Sequence, residues 1–118
     1  MKYVIGVDLG TSATKTILVD QNGNIVAEAS VKYPMYQPEN GWAEQDPSDW
    51  SEAAISTIKS VVEKGQVNGK DVRGIGISGQ MHGLVMLNEE NQVIRRSIIW
   101  CDQRATKQVE EMLELSME

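Results

Sequence analysis

"GVDLGTSATKTILVDQNGNIV", Gly6 to Val26, decides the fold. Extended back to Lys2, it opens with "KYVIGVDLG", which predicts a buried strand ending at Gly10 with Asp8 near its C-terminal end. "TKTILVD" (Thr14–Asp20) predicts a second strand. The intervening "GTSA" is too short for a crossover, so these two strands form an antiparallel hairpin. "QNGN" (Gln21–Asn24) is the next turn, because Asn and Gly tolerate positive φ. In "IVAEASVKY", Ala27, Ala29 and Val31 alternate with Val26, Glu28 and Ser30, the pattern of a third strand with one half-buried face.

Downstream, "PMYQPENGWAEQDP" reads as loop and holds all three prolines. Asp46-Pro47-Ser48-Asp49 starts a helix, with an Asx cap, proline at the first helical position and an acid in the first turn. Trp50, Ala54, Ile58, Val61 and Val62 recur at helical spacing, and Gly65 ends the helix. "VRGIGIS" (Val72–Ser78) predicts a buried strand, "LVMLN" another, "EEN" a turn, "QVI" its return strand and "SIIW" a last short strand. From Gln103 to about Met117 the spacing is helical again, with Val109, Met112, Leu113 and Met117 on one face. The sum is a mixed α/β domain. Its three-strand start is unlike a Rossmann unit, where a helix follows the first strand.

A length of 118 residues fits one domain with one core. With 11 basic and 17 acidic residues, the net charge of −6 excludes a nucleic-acid binder, which needs a basic stripe to displace counterions. No apolar run approaches the ~20 residues of a membrane span, and the start lacks a secretory pattern. Cys101 is the only cysteine, so no intrachain disulfide is possible, and a reducing, cytoplasmic compartment is expected.

Two constellations carry chemistry. In "DLGTS", the amides of the turn and the hydroxyls of Thr11 and Ser12 can cradle phosphate oxygens. Asp8 can hold magnesium directly or through water, and Lys15 can add a point charge. The alternative is a plain hairpin turn in which Asp8 caps an amide. No Walker-type spacing is present.

The second constellation is "SGQMHG" with "WCDQR". Gly79 and Gly83 permit a sharp backbone excursion and close approach of a ligand. Gln80 and His82 offer neutral donors and acceptors that suit a polyol, and Met81 an adaptable apolar wall. Trp100 can stack on a sugar face, Asp102 can accept hydroxyl hydrogen bonds, and Arg104 can bind substrate or lock Asp102 by an ion pair. The alternatives are a structural histidine at position 82 and a helix start capped by Asp102, with Trp100 in the core.

The stretch Gly6–Val26 resembles the first phosphate motif of the actin–hexokinase–Hsp70 ATPase fold, in the form used by the FGGY family of carbohydrate kinases. The resemblance runs from Lys2 to at least Arg104 and implies a ribonuclease-H-like α/β domain, of which residues 1–118 are the N-terminal portion of the first. It implies that Asp8, Gly10, Thr11 and Lys15 face ATP phosphates and magnesium. "SGQMHG" and "AEQDP" are similar to the branch of the family that phosphorylates D-xylulose. That similarity implies that Met81 and His82 contact the sugar and that Asp102 lies beside it. In the family the cleft lies between two such domains. The catalytic base, the second phosphate motif and the second domain are therefore expected in sequence beyond these residues. Little phosphorylation by the 118 residues alone is expected, because transfer needs both substrates positioned. Self-association, by edge pairing or by exchange of the C-terminal helix between copies, is expected too. Competing readings are a kinase of another ketose or polyol, a non-catalytic sugar-binding or ATPase-fold module, and an actin-like or chaperone-like ATPase.

Overall fold

In the computed structural model, which describes residues 1–117, the meander forms as its turns require. Strands β1 (Tyr3–Leu9), β2 (Ala13–Asp20) and β3 (Ile25–Lys32) are antiparallel neighbours. The Gly10 amide closes the first hairpin on the Ala13 carbonyl at 2.9 Å. At the second, Asp20 Oδ1 accepts the Asn22 and Asn24 amides at 2.9 and 3.0 Å, and Gly23 supplies a φ of +84°.

A two-residue strand β4 (Glu44–Gln45) leads into helix α1 (Pro47–Gly65). Asp46 caps α1 by accepting the Ser48 amide at 2.9 Å, as the sequence predicts. A 3-10 turn (Gly69–Asp71) then leads into β5 (Val72–Gly79), which lies parallel to β1. The sheet order is β3-β2-β1-β5. A separate two-stranded ladder pairs β4 with β6 (Ser97–Ile98), and helix α2 (Thr106–Ser116) follows.

The core follows from strand alternation. Ile5, Val7 and Leu18 point to one face and meet Val61 of α1. Burying each such side chain stabilises the fold by roughly 1.5–3 kcal/mol. Within this core Thr57 Oγ1 donates to the Ala53 carbonyl at 2.8 Å, which leaves Thr16 to donate across the helix–sheet boundary at 2.7 Å. The pair satisfies two hydroxyls that burial would otherwise penalise.

Several expectations are corrected. Gly65 is the last helical residue, but the left-handed residue is Gln66, at φ +53°. Gly65 is required by packing instead, since a Cβ there would stand 2.7 Å from Leu18 Cδ2. Strand β5 is not buried: it is a sheet edge, and Ile75 and Ile77 are exposed. Strand β1 is buried on one face only, with Val4 and Asp8 outward. The segments 84–88 and 92–94 form no strands beyond one bridge between Leu87 and Val93, because a hairpin with no sheet to join is marginal. Of "SIIW" only Ser97 and Ile98 pair. Helix α2 begins at Thr106 rather than Gln103: Asp102 Oδ1 accepts the Arg104 amide at 2.9 Å, but the helix starts only after Ala105, which has no side-chain cap. Its apolar face is present, but Val109, Met112 and Leu113 are exposed.

Candidate functional site

The site lies where β1 and β5 end side by side. The Gln80 amide donates to the Leu9 carbonyl at 2.9 Å and terminates the parallel ladder. Gly79 permits this approach: a Cβ there would stand 2.9 Å from the same carbonyl. The two loops that follow, 10–12 and 80–83, therefore leave the sheet as neighbours. Between them is a pocket of about 360 Å³ lined by Gly10, Thr11, Gln80, Met81, His82 and Trp100. Members of both chemical constellations of the sequence thus share one cavity.

His82 stands in the left-handed backbone region at φ +66°, a costly conformation for a residue with a Cβ. Its side chain is exposed and has no hydrogen-bond partner among the described residues, unlike a structural histidine. Met81 is likewise exposed. Trp100 is not core: it is 59% exposed, and its indole Nε1 donates to Thr11 Oγ1 at 2.9 Å. Gln80 differs from its neighbours. Its Nε2 donates to Gln45 Oε1 at 2.8 Å, and its own Oε1 is buried without a partner.

Asp102 and Arg104 lock each other. The Asp102 carboxylate accepts Arg104 Nε at 3.0 Å and Nη2 at 2.8 Å, along with the Ala43 amide at 2.6 Å. The Arg104 side chain, above all, holds the Asp102 carboxyl down to about 2. The same contact raises the pKa of the Arg104 guanidinium, which also stacks on Trp42 and reaches buried Glu44 at 2.8 Å. Arg95 meets Glu44 from the other loop at 2.9 Å. The sequence offered Asp102 to sugar hydroxyls; here its oxygens are filled by protein donors and its side chain is 3% exposed.

Of the phosphate-facing set, Gly10 and Thr11 line the pocket. Ser12 is exposed beside them, and its carbonyl accepts the Tyr33 amide at 3.3 Å. Asp8 and Lys15 face each other across β1 and β2 on the sheet face opposite α1. That face forms a broader, mainly apolar hollow of about 680 Å³, floored by Gly6 and Gly76. Lys15 Nζ turns to Glu28 at 3.6 Å, an exposed pair of small energetic consequence and easily exchanged for another anion.

These groups fit a magnesium nucleotide. The Thr11 and Ser12 amides have no acceptor among the described residues. Asp8 is a single exposed carboxylate, which suits a magnesium ion that keeps most of its waters. Among the described residues no cluster of three or more ligating side chains exists for a resident metal. No helix of the described residues is long and apolar enough to cross a membrane.

Sequence reasoning missed Gln45, Glu44 and Tyr33. Gln45 is fully buried, and its Nε2 donates to the Thr11 carbonyl. The Tyr33 hydroxyl donates to the Gly10 carbonyl and pairs with Thr14 at 3.2 Å, and burial raises its pKa. The only available signals were weak: a tyrosine just past a strand, and "AEQDP" in a polar loop.

A three-stranded meander widened by a parallel strand, with a Gly-Thr-Ser turn at the end of the first strand, defines a ribonuclease-H-like α/β domain of the ATPase-fold class. Within that class the chain belongs to the FGGY family of carbohydrate kinases, whose N-terminal domain matches residues 3–118. Among curated relatives it is 52% identical over 114 residues to the xylulose kinase of Bacillus subtilis, covering 97% of this chain and 23% of that protein. It superposes on ligand-bound xylulose kinase from Lactobacillus acidophilus with a TM-score of 0.89 at 37% identity, covering 97% of this chain and 23% of that one. Gluconate kinase from Lactobacillus acidophilus gives a TM-score of 0.88, also at 37% identity, covering 96% of this chain and 22% of that one. The chain thus spans about a quarter of the length of these relatives.

Proposed function

We propose that this chain is the sugar-binding and phosphate-facing part of an ATP-dependent xylulokinase, which transfers the γ-phosphoryl group of ATP to the terminal hydroxyl of D-xylulose and yields D-xylulose 5-phosphate. The observation that carries this reading is the single pocket shared by Gly10, Thr11, Met81, His82 and Trp100. Met81 and Trp100 supply apolar walls for the carbon face of the sugar, and His82 a neutral hydrogen-bonding edge. Gln80, Asp102 and Arg104 complete the sugar side by holding its loops. The Gly10–Ser12 turn and Asp8 receive the phosphates and their magnesium, with Lys15 as a nearby cation. Magnesium, when bound, neutralises charge developing on the transferred group.

The reading assigns no catalytic base to these residues. His82 is the only titratable side chain among the described residues lining the pocket, and Asp102 is too acidic in its ion pair to take a proton near neutrality.

The likeness to a gluconate kinase favours one second reading, a kinase for another sugar. A carboxylate substrate calls for a cation, and the pocket lining holds neither Lys nor Arg, which supports a neutral ketose. A coupled assay of the full-length protein with D-xylulose, ribulose, fuculose, glycerol and gluconate tests this. Preference for D-xylulose is expected; preference for gluconate, or no transfer to any of them, overturns it.

A further inference from the structure

Gln45 joins the two halves of the pocket from beneath. Fully buried in β4, its amide nitrogen donates to the Thr11 carbonyl of the phosphate-side turn. Its amide oxygen accepts Gln80 Nε2 of the sugar-side loop at 2.8 Å and Trp50 Nε1 of α1 at 3.0 Å. One side chain thus bonds the turn after β1, the loop after β5 and the helix. Gln80 is held inward in this arrangement, with its Nε2 bonded to Gln45 and its Oε1 buried. Ser97, the cross-strand partner of Gln45, also has a buried hydroxyl without a partner, so the polar layer under the loop is only partly satisfied from within. Such a layer holds its members in register only while each bond is made.

We infer that Gln45 is a positioning residue that, through Gln80 and the Thr11 carbonyl, fixes Met81 and His82 at a set height above the phosphate-side turn. The inference rests on the sugar-kinase reading for its kinetic consequence but not for its structural one. No other described side chain hydrogen-bonds both loops. Trp50, bonded to the same oxygen, hydrogen-bonds neither loop but has its ring beside Gly83, so it is the control for the 10–12 turn.

The test uses the full-length protein with Gln45→Met, Gln80→Met, the double variant and Trp50→Phe, each followed by amide hydrogen exchange and steady-state kinetics. Gln45→Met should speed exchange of the Gly10 and Gln80 amides together, the two that are hydrogen-bonded at the roots of the loops. Gln80→Met should speed it at Gln80 alone, and Trp50→Phe should leave Gly10 unchanged. For D-xylulose, kcat/KM should fall at least tenfold in Gln45→Met, mostly through KM, because the Thr11 carbonyl, Gln80 Nε2 and Trp50 Nε1 all lose their partner. The double variant should be no worse than Gln45→Met. Unchanged exchange at either amide in Gln45→Met, or faster exchange at Gly10 in Trp50→Phe, overturns the inference. If Gln45→Met does not fold, exchange spreading to the Gly10 amide in Gln80→Met overturns it, and confinement to Gln80 supports it. If the unsubstituted protein phosphorylates none of the sugars, the functional reading fails, and exchange still decides the role of Gln45.

Discussion

Ile5 and Val7 of β1 lie in register with Ile75 and Ile77 of β5, on the same face of the sheet, yet the first pair is 3% exposed and the second 52% and 71%. The sequences are equally apolar, so strand character does not set the difference. The reach of α1 does: it packs over β2 and β3, extends to β1, and stops short of β5. Burial in this domain is thus a property of the covering helix, and among the described residues β5 lies beyond its main reach. The site sits on that border, where a well-held strand and a bare one end together.

The contrast breaks most sharply by truncation on each side of the border. Ile5→Ala should cost about 2–5 kcal/mol of stability by chemical denaturation, the usual cost of a core cavity. Equal losses from Ile5→Ala and Ile75→Ala would show that α1 coverage is not what decides. At the mouth, His82→Ala in the full-length protein should weaken D-xylulose binding by roughly 1–3 kcal/mol with ATP affinity nearly unchanged, measured by titration calorimetry. A lower melting temperature with unaltered sugar affinity would restore the structural-histidine reading. Asp8→Asn should leave folding and sugar binding intact but slow turnover at least tenfold, about 1.4 kcal/mol of barrier. Normal turnover would remove Asp8 from phosphate chemistry.

Acid should act next, on the loops that carry Ala43 and Asp102. Arg104 depresses the Asp102 carboxyl to about 2, so its contribution is fully present above the ordinary carboxylate value of 3.8 and is lost as pH falls through the depressed one. Near-ultraviolet circular dichroism of Trp42 should therefore change between those two values, and Asp102→Asn should abolish that step. A transition centred near neutrality would contradict it. The smallest stability effect belongs to β5. The double variant Ile75→Thr/Ile77→Thr should shift stability by no more than about 0.5 kcal/mol. The isolated 118 residues are proposed to self-associate through this edge, and the same variant should lower that association in sedimentation velocity. A strictly monomeric parent chain at high concentration would contradict the proposal.

The meander and α1 were legible because their determinants are local. "QNGN" can do little but turn, and Asp46-Pro47 carries its own cap. What the sequence concealed is held by partners far apart along the chain. Glu44 looks like a solvated loop acid until Arg95, Arg96 and Arg104 arrive to bury it. Gln45 has no pattern around it, since its partners Thr11, Trp50 and Gln80 come from three elements. "LVMLN" has the composition of a strand, but composition supplies no neighbouring sheet. At the site, residue types foretold the pocket lining, whereas the inward turn of Gln80 and the closure of Asp102 by Arg104 depended on side-chain partners that spacing does not encode.

The bond from Trp100 to Thr11 has an optical consequence. The three tryptophans occupy unlike settings: Trp42 lies under the Arg104 guanidinium, Trp50 is tied to Gln45, and Trp100 stands largely in solvent with its indole N–H on the Thr11 hydroxyl of the Gly10–Ser12 turn. A ligand oxygen that accepts the Thr11 O–H leaves the indole bond in place but brings new charge and polarity beside the ring. Fluorescence from Trp100, isolated by replacing Trp42 and Trp50 with phenylalanine, is therefore a native dye for occupancy of the turn, readable without label or turnover.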